Sequence, residues 1–457
     1  MKKTKIGLLP LYIALYDEAS PHYRPVVEQF YETIASNLEN KGLDVVRVPV
    51  CRLENEFASA VATFEREDAD AIVTLHLAYS PSLESAKVLA GTALPVIVLD
   101  TTPDFEFNHG INSRAISYNH GIHGVMDMCN LLVRNGKRFQ IFAGHYENSH
   151  VLDRVVDAAN GAKMAKAIKS LKAVTFGEPF KGMGDFAIPY DKLKKDIGID
   201  ACIADVNELY PVDEARIRAE YEKDCLECDM QNVTYEDYKG PCGVALSIRD
   251  YIERNGIGAF SMNFLATGKD TPFNYIPFDE ACKAMTRGIG YGGEGDVLTA
   301  SYVAALMSVF PETSFAEIFC PDWAGDTLYI SHMGEYNYNC TEVRREAAVS
   351  NFIYTDAGNP VVFYAPFKQG RAVFTCLAPM AEGYRMICHR GEMLHVPQGT
   401  SFNREVSGWF KPQIPVSQFL ARYGALGGIH HAAVIYDGDT ATLRSIARIM
   451  GWEYEEV

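Results

Sequence analysis

The sequence predicts an α/β chain: two Rossmann-like parallel-sheet domains followed by a C-terminal, mainly antiparallel, β-barrel-like domain. Three observations predict it. The first 175 residues alternate short apolar runs with amphipathic stretches of helical period, a second alternation of the same kind follows, and from about Ser314 the apolar runs succeed one another without intervening helices. The 457 residues also exceed what one hydrophobic core sustains. The expected divisions are residues 1–172 for an N-terminal α/β domain, 173–310 for a central α/β domain and 311–457 for the β-rich domain.

The first domain is read from the strands "KIGLLPL", "LDVVRVPV", "DAIVTLH" and "LPVIVLD", separated by the helical stretches "RPVVEQFYETIASNLENKG", "EFASAVATFERED" and "SLESAKVLAG". Strands of nearly continuous apolar character are buried on both faces, as in a parallel sheet flanked by helices. "RFQIFAGHY" and "KAVTFGEPF", bracketing another helix, extend the pattern. The second alternation begins near "DIGIDACIAD" and passes through "GVALSIRDYIERNG" and "IGAFSMNF" to the helices "FDEACKAMTRG" and "VLTASYVAALMSVF". The last domain is read as the strands "TLYISHM", "PVVFYAPF", "RAVFTCLA", "YRMICHR", "EMLHVP" and "HHAAVIYD", whose direct succession suits antiparallel pairing.

Composition narrows the function. Hydrophobic residues at 48% and charged residues at 22% are those of a globular protein. A formal charge of −17 argues against nucleic acid as a partner, since that affinity comes largely from basic surface. The apolar stretch of "MKKTKIGLLPLYIALYDEAS" is interrupted by Pro10 and Asp17, and no run of 18 apolar residues occurs, so neither a signal peptide nor a membrane partner is expected and the protein is placed in the cytoplasm. Eleven cysteines are then expected to be reduced. Cys225 and Cys228 in "CLEC" offer half a zinc site, but no second pair stands at a matching spacing.

The stretch "YGGEGD", residues 291–296, sets Glu294 and Asp296 among glycines. Gly288, Gly290 and Gly293 satisfy the glycine pattern of a dinucleotide loop, but a helix, not a strand, is expected just before it, and two carboxylates would face the phosphates. The alternative is a sharp glycine turn that exposes a carboxylate at the start of "VLTASYVAALM", with Asp296 available as a helix cap. Downstream come Glu317 in "TSFAEIF", His332 in "ISHMGE" and His431 in "GGIHHAAVIYD". Two carboxylates and two imidazoles form a mixed oxygen and nitrogen set, suited to Mn²⁺, Co²⁺ or a similar ion with open positions rather than to a closed zinc site. Neighbours on a strand face opposite sides, so only one of His430 and His431 is expected to enter a shared site.

In that order, "GYGGEGDVLTA", "TSFAE", "SHMGE" and "GGIHHAAVIYD" resemble the metal-site segments of the L-arabinose isomerase family, within the wider group of L-arabinose and L-fucose isomerases. "TLHLAYSP", "HGIHG", "FAGHYEN" and "GAFSMNF" are weaker echoes. The resemblance implies a metal-dependent aldose–ketose isomerase, with Glu294, Glu317, His332 and His431 as metal ligands and Glu294 and Glu317 also as the acid/base pair. The ion, Mn²⁺ before Co²⁺, would hold O1 and O2 of an open-chain sugar while a proton moves between C1 and C2 through an enediolate. Monodentate coordination would leave each glutamate an oxygen for proton transfer. Asp296 and His430 are expected behind the ligands, Asp296 orienting Glu294. The resemblance further implies sugar contacts from His120, His123, Phe264 and Met183, and a homo-oligomer, trimer or hexamer, in which the segment bearing His123 reaches a neighbouring subunit's site. Ile318 and Phe319 stand where the family has an acid and a tyrosine, which alters the sugar pocket and leaves the physiological sugar open. Two rival readings are a non-catalytic sugar-binding protein and a metal-dependent hydrolase or lyase using the same ligands.

Overall fold

The computed structural model describes residues 2–397, 399 and 405–457. The chain forms two compact units, the first running to Lys166 and taking in Ala441–Gly451, the second made of Ala167–Thr440 and Trp452–Val457. Among the described residues no helix is long and apolar enough to cross a membrane, and the cysteines are unpaired.

The first unit is built on β1 (Lys5–Leu11), β2 (Asp44–Arg47), β3 (Ala71–His76), β4 (Val96–Asp100) and β5 (Phe139–Ala143). They form one parallel sheet in the order β2-β1-β3-β4-β5. Alternate strand residues serve two cores, which is why the runs are apolar throughout. Ile6, Leu8, Val73, Leu75, Ile97 and Leu99 pack with Ile34 and Leu38 of the helix Arg24–Asn40. Leu9, Leu11, Ile72, Val96 and Val98 pack with Phe57 and Phe64 of Glu54–Arg66 and with Met128 of Gly121–Arg134.

The second unit begins with β6 (Lys172–Phe176) and β7 (Asp200–Ile203). After a two-residue strand, β8 (Cys228–Asp229), come β9 (Ala259–Met262) and β10 (Gly290–Gly293). β10-β9-β6-β7 is a second, four-stranded, parallel sheet. The run "KAVTF" is β6 and therefore belongs to this sheet, not to the alternation that precedes it. An apolar strand carries no label for the sheet that will pair it.

The last glycines of "GIGYGG" differ from expectation in forming a strand, Gly290–Gly293, and the sharp turn expected before "VLTASYVAALM" follows it at Glu294 and Gly295. The helix after the turn, Val297–Met307, lies almost directly on the strand. A Cβ on Gly290 would fall 2.0 Å from the carbonyl oxygen of Ala300, and one on Gly292 would fall 2.6 Å from that of Asp296. Every residue of this helix is buried, in keeping with a sequence apolar on all sides.

The remaining strands are β11 (Thr313–Asp322), β12 (Thr327–Ser331), β13 (Arg345–Val349), β14 (Val361–Tyr364), β15 (Gly370–Pro379), β16 (Tyr384–Met393), β17 (Gly408–Pro412), β18 (His431–Tyr436) and β19 (Glu453–Glu456). β15-β18-β11-β12-β17-β16 pair antiparallel in that order, and β15 pairs β16 to close the ring, giving a six-stranded barrel. β19 adds alongside β16 in parallel.

Two readings of strands change. "PVVFYAPF" supplies β14, which sits outside the barrel in a small sheet with β13 and β8. "YRMICHR" and "EMLHVP" contribute to a single strand, β16, in unbroken register with β15 from Tyr384 to Met393. Gly391 reads as a break between them, yet its role is to admit a ring: a Cβ there would meet Phe410 at 2.4 Å.

The contact of β10 with its helix yields a prediction. Gly290→Ala is expected to lower unfolding free energy by about 3 kcal/mol, the upper end for overpacking, because the obstacle is backbone and cannot turn aside. Chemical denaturation of the two proteins measures it, and unchanged stability would contradict the close contact.

Candidate functional site

Four elements of the second unit converge at one end of the barrel. Glu317 on β11 lies in register with His431 on β18 and with Ser331 on β12, and His332 follows directly after Ser331. Three adjacent strands thus present Glu317, His332 and His431 side by side. Glu294 arrives from the parallel sheet, in the turn between β10 and the helix Val297–Met307.

That turn forces Glu294 to φ +60°, a left-handed conformation that strains a residue with a side chain. Its surroundings hold it there. The carbonyl oxygen of Glu294 accepts the Phe180 N–H at 2.9 Å. Ser261 Oγ accepts the Gly295 N–H at 2.8 Å and donates to the Gly292 carbonyl at 2.6 Å. Gly295, at φ +94°, leaves no room for a Cβ, which would lie 2.4 Å from Pro179.

The distances suit a shared cation. Glu294 Oε2 is 3.6 Å from His431 Nε2 and 3.8 Å from His430 Nε2, and Glu317 Oε2 is 3.8 Å from His332 Nε2. Two triads result, Glu294 with His430 and His431, and Glu317 with His332 and His431, each with ligand atoms within 4.8 Å of one another. His431 is fully buried, and its Nε2 has no hydrogen-bond partner. A buried, unpartnered imidazole nitrogen facing carboxylates is what a metal ligand leaves when no ion is present.

Each imidazole is held from behind. Glu335 Oε2 accepts from His332 Nδ1 at 2.6 Å, and Asp296 Oδ2 accepts from His431 Nδ1 at 3.0 Å. Asp185 Oδ2 accepts both Nδ1 (2.5 Å) and the backbone N–H (3.0 Å) of His430. Aromatic rings fix the planes: Phe186 stacks on His431 at 5.1 Å, and Phe315 meets His332 and His431 edge-on at 4.8 and 5.1 Å.

The two glutamates are pushed in opposite directions. Burial would raise the Glu294 carboxyl, but the facing imidazoles of His430 and His431 outweigh it and hold the group at about 2. Burial prevails at Glu317, which titrates above the usual carboxylate range. Burial disfavours charge on His431, yet its hydrogen bond to Asp296 and the facing Glu294 carboxylate raise it to about 9. At His430 burial acts likewise and Asp185 and Glu294 raise the ring to about 10. Burial also opposes protonation of His332, and Glu335 more than offsets it.

Several expectations of role change. Asp296 orients His431, not Glu294, and does so while capping the helix: its Oδ1 accepts the Thr299 N–H at 2.8 Å. His430 also turns toward Glu294, because β18 begins only at His431 and strand alternation does not reach back to its neighbour. Asp185 and Glu335 were not foreseen. Glu335, three residues after His332 in "SHMGE", had a visible signal, whereas nothing marks Asp185 in its loop.

Beside the ligands lies a cavity of ≈ 210 Å³ lined by Glu294, His332, Glu335 and Tyr291 and by the apolar side chains of Met262, Phe264, Ile276, Phe278, Met333 and Phe352. Phe264 therefore stands on its wall. Met183 is half-buried in the loop after β6 and is not among the residues lining that cavity. Ile318 packs on the barrel core, and a bulge between Ile318 and Cys320 brings the Phe319 ring to 6.3 Å from His332. His120 and His123 lie on the first unit. There His120 Nε2 is 3.0 Å from the Tyr16 hydroxyl, its Nδ1 has no partner and burial lowers its pKa, while His123 is exposed.

The family described as L-arabinose isomerase C-terminal domain matches residues 312–453, the stretch that carries Glu317, His332 and His431. The chain is 22% identical to the L-arabinose isomerase of Shouchella clausii (strain KSM-K16) over 461 residues, covering 98% of this chain and 92% of that one. It is 22% identical to the L-arabinose isomerase of Herpetosiphon aurantiacus over 456 residues, 94% of this chain and 90% of the other. With that of Aeromonas salmonicida the identity is 24% over 342 residues, 69% and 66% of the two chains.

The double duty of Asp296 can be separated by substitution. Asn caps a helix about as well as Asp, so Asp296→Asn should keep the cap yet strip His431 of its carboxylate partner and weaken Mn²⁺ binding by about 10- to 100-fold. Asp296→Ala should lose the same affinity and a further ~1 kcal/mol of stability. Calorimetric titration and denaturation of both variants decide it; equal Mn²⁺ affinity in Asp296→Asn and the parent would show that the carboxylate does not orient a ligand.

Proposed function

We propose, for a chain similar along nearly its whole length to L-arabinose isomerases, that it is a metal-dependent aldose–ketose isomerase, moving a proton between C1 and C2 of an open-chain sugar. The observation that carries this reading is the convergence of Glu294, Glu317, His332 and His431 around the unpartnered Nε2 of His431. Two carboxylates and two backed imidazoles fit a divalent ion, Mn²⁺ or one similar such as Co²⁺. When bound, that ion would supply positive charge against two neighbouring oxygens of the sugar.

The chain's own groups do the rest. Glu294 and Glu317 come from different sheets, which supports a reading in which the two carboxylates flank the substrate. Both would hold the ion, and each carboxylate has a second oxygen that can take or give a proton. Between them they carry the proton from one carbon to the next and rebalance the two hydroxyl oxygens. His332 and His431 only hold, and Glu335 and Asp296 keep their rings turned inward. Phe264, Phe278 and Phe352 on the cavity wall exclude water from the carbon whose proton is in transit.

The sugar itself is left as a class. Ile318 and Phe319, with the apolar cavity wall, favour a substrate less polar at its far end than a fully hydroxylated one. The reading further includes a homo-oligomer, trimer or hexamer, in which exposed His123 and its neighbour His120 serve a site on another subunit.

Glu294→Gln and Glu317→Gln should each lower kcat by about 10²- to 10⁴-fold while leaving the melting temperature near that of the parent. Ketose formation from pentoses, 6-deoxyhexoses and hexoses by the Mn²⁺-loaded protein is the direct assay, and chelator should abolish it. Near-parental turnover by either variant would remove that glutamate from the chemistry; no ketose from any sugar would reject the isomerase reading. Light scattering should report a mass of three or six chains.

A further inference from the structure

We propose that His430 is a third imidazole donor to the bound ion, beside His332 and His431. The proposal rests on the metal-binding part of the function above, not on the reaction. Its basis is that three histidines, not two, share one construction. In each, a carboxylate takes Nδ1: Glu335 for His332, Asp296 for His431, Asp185 for His430. A carboxylate can only accept, so Nδ1 bears the hydrogen and Nε2 is the nitrogen available to an ion, the arrangement by which metal-binding histidines are oriented.

The position of His430 Nε2 agrees. It lies 3.8 Å from Glu294 Oε2, the oxygen that His431 Nε2 approaches to 3.6 Å. Its triad with Glu294 and His431, like that of Glu317, His332 and His431, has its ligand atoms within 4.8 Å of one another, and the two share His431. A histidine present only for packing would have no need of its restraint. Asp185 grips both the ring and the backbone N–H, and the ring lies 4.2 Å from that of His431 and 5.7 Å from Phe186. The loop carrying Asp185 is itself tied to the site, through the Phe180 N–H on the Glu294 carbonyl and the Asn263 side chain on the Glu178 carbonyl.

Five protein donors would leave one of six positions on an ion such as Mn²⁺ open, which is one too few for a sugar gripping through two oxygens. His430 is the donor able to yield. Its side chain is 32% exposed, against 6% for His332 and 0% for His431. It would thus hold a fifth position on the ion and be the donor to give way to substrate.

The test is a count of nitrogens. Pulsed electron paramagnetic resonance of the Mn²⁺-loaded full chain, without sugar, should detect three imidazole nitrogens in the parent and two in His430→Asn. Calorimetry should show Mn²⁺ bound at least about tenfold more weakly by that variant, and about tenfold more weakly by Asp185→Asn, which keeps the third nitrogen. Two nitrogens in the parent, a count that needs no variant to fold, would overturn the proposal. So would equal Mn²⁺ affinity in the parent and a folded His430→Asn. The readout is blind to turnover: three nitrogens in a protein that isomerises no sugar would sink the function and leave this assignment standing, and two in an active isomerase would do the reverse.

Discussion

The close approach of the helix Val297–Met307 to β10 is the constraint from which the site follows. Without side chains at Gly290 and Gly292 the helix settles onto the strand, and its first residue is fixed in depth as well as direction. Asp296 can then cap the helix with one oxygen and reach His431 with the other. The same short passage leaves Glu294 no relaxed conformation, so it takes the left-handed one and directs its carboxylate across the turn. A glycine cluster holds carboxylates here because Gly290 and Gly292 are contact surface for the helix, while Glu294 and Gly295 turn the chain and Asp296 caps the helix.

Charge is managed locally at this end of the barrel. Burying carboxylates and imidazoles together is tolerable only when each is paired. The outer carboxylates Asp185, Asp296 and Glu335 each engage an imidazole at its Nδ1, so the inner edges of the rings face Glu294 and Glu317. That pairing raises the imidazoles of His430 and His431 and depresses Glu294.

The resemblance and the geometry bear on different parts of the molecule. The matched family segment covers the barrel, where three of the four expected ligands reside. Glu294 is supplied by the parallel sheet that precedes it, so the ligand set is complete only because the two layers of the second unit meet. Changes beside the ligands, at Ile318 and Phe319, leave this set intact and reshape only what lies next to it.

Much of the architecture was legible in the sequence, since the period of apolar residues follows directly from what each element buries. Continuous runs gave the parallel strands, the switch to helix-free succession gave the barrel, and the ordered segments pointed to Glu294, Glu317, His332 and His431, which the structure gathers in two triads sharing His431. Tertiary structure alone decided partners. That β6 pairs in the second sheet, that β14 leaves the barrel, that Gly391 interrupts nothing and that Asp296 serves His431 all depend on residues distant in the chain. Asp185 is the clearest case: 245 residues separate it from His430, and no local pattern can encode a hydrogen bond whose second half is positioned by a different loop. Periodicity is written in one dimension; the direction in which a side chain finds its neighbour is set only when the layers pack.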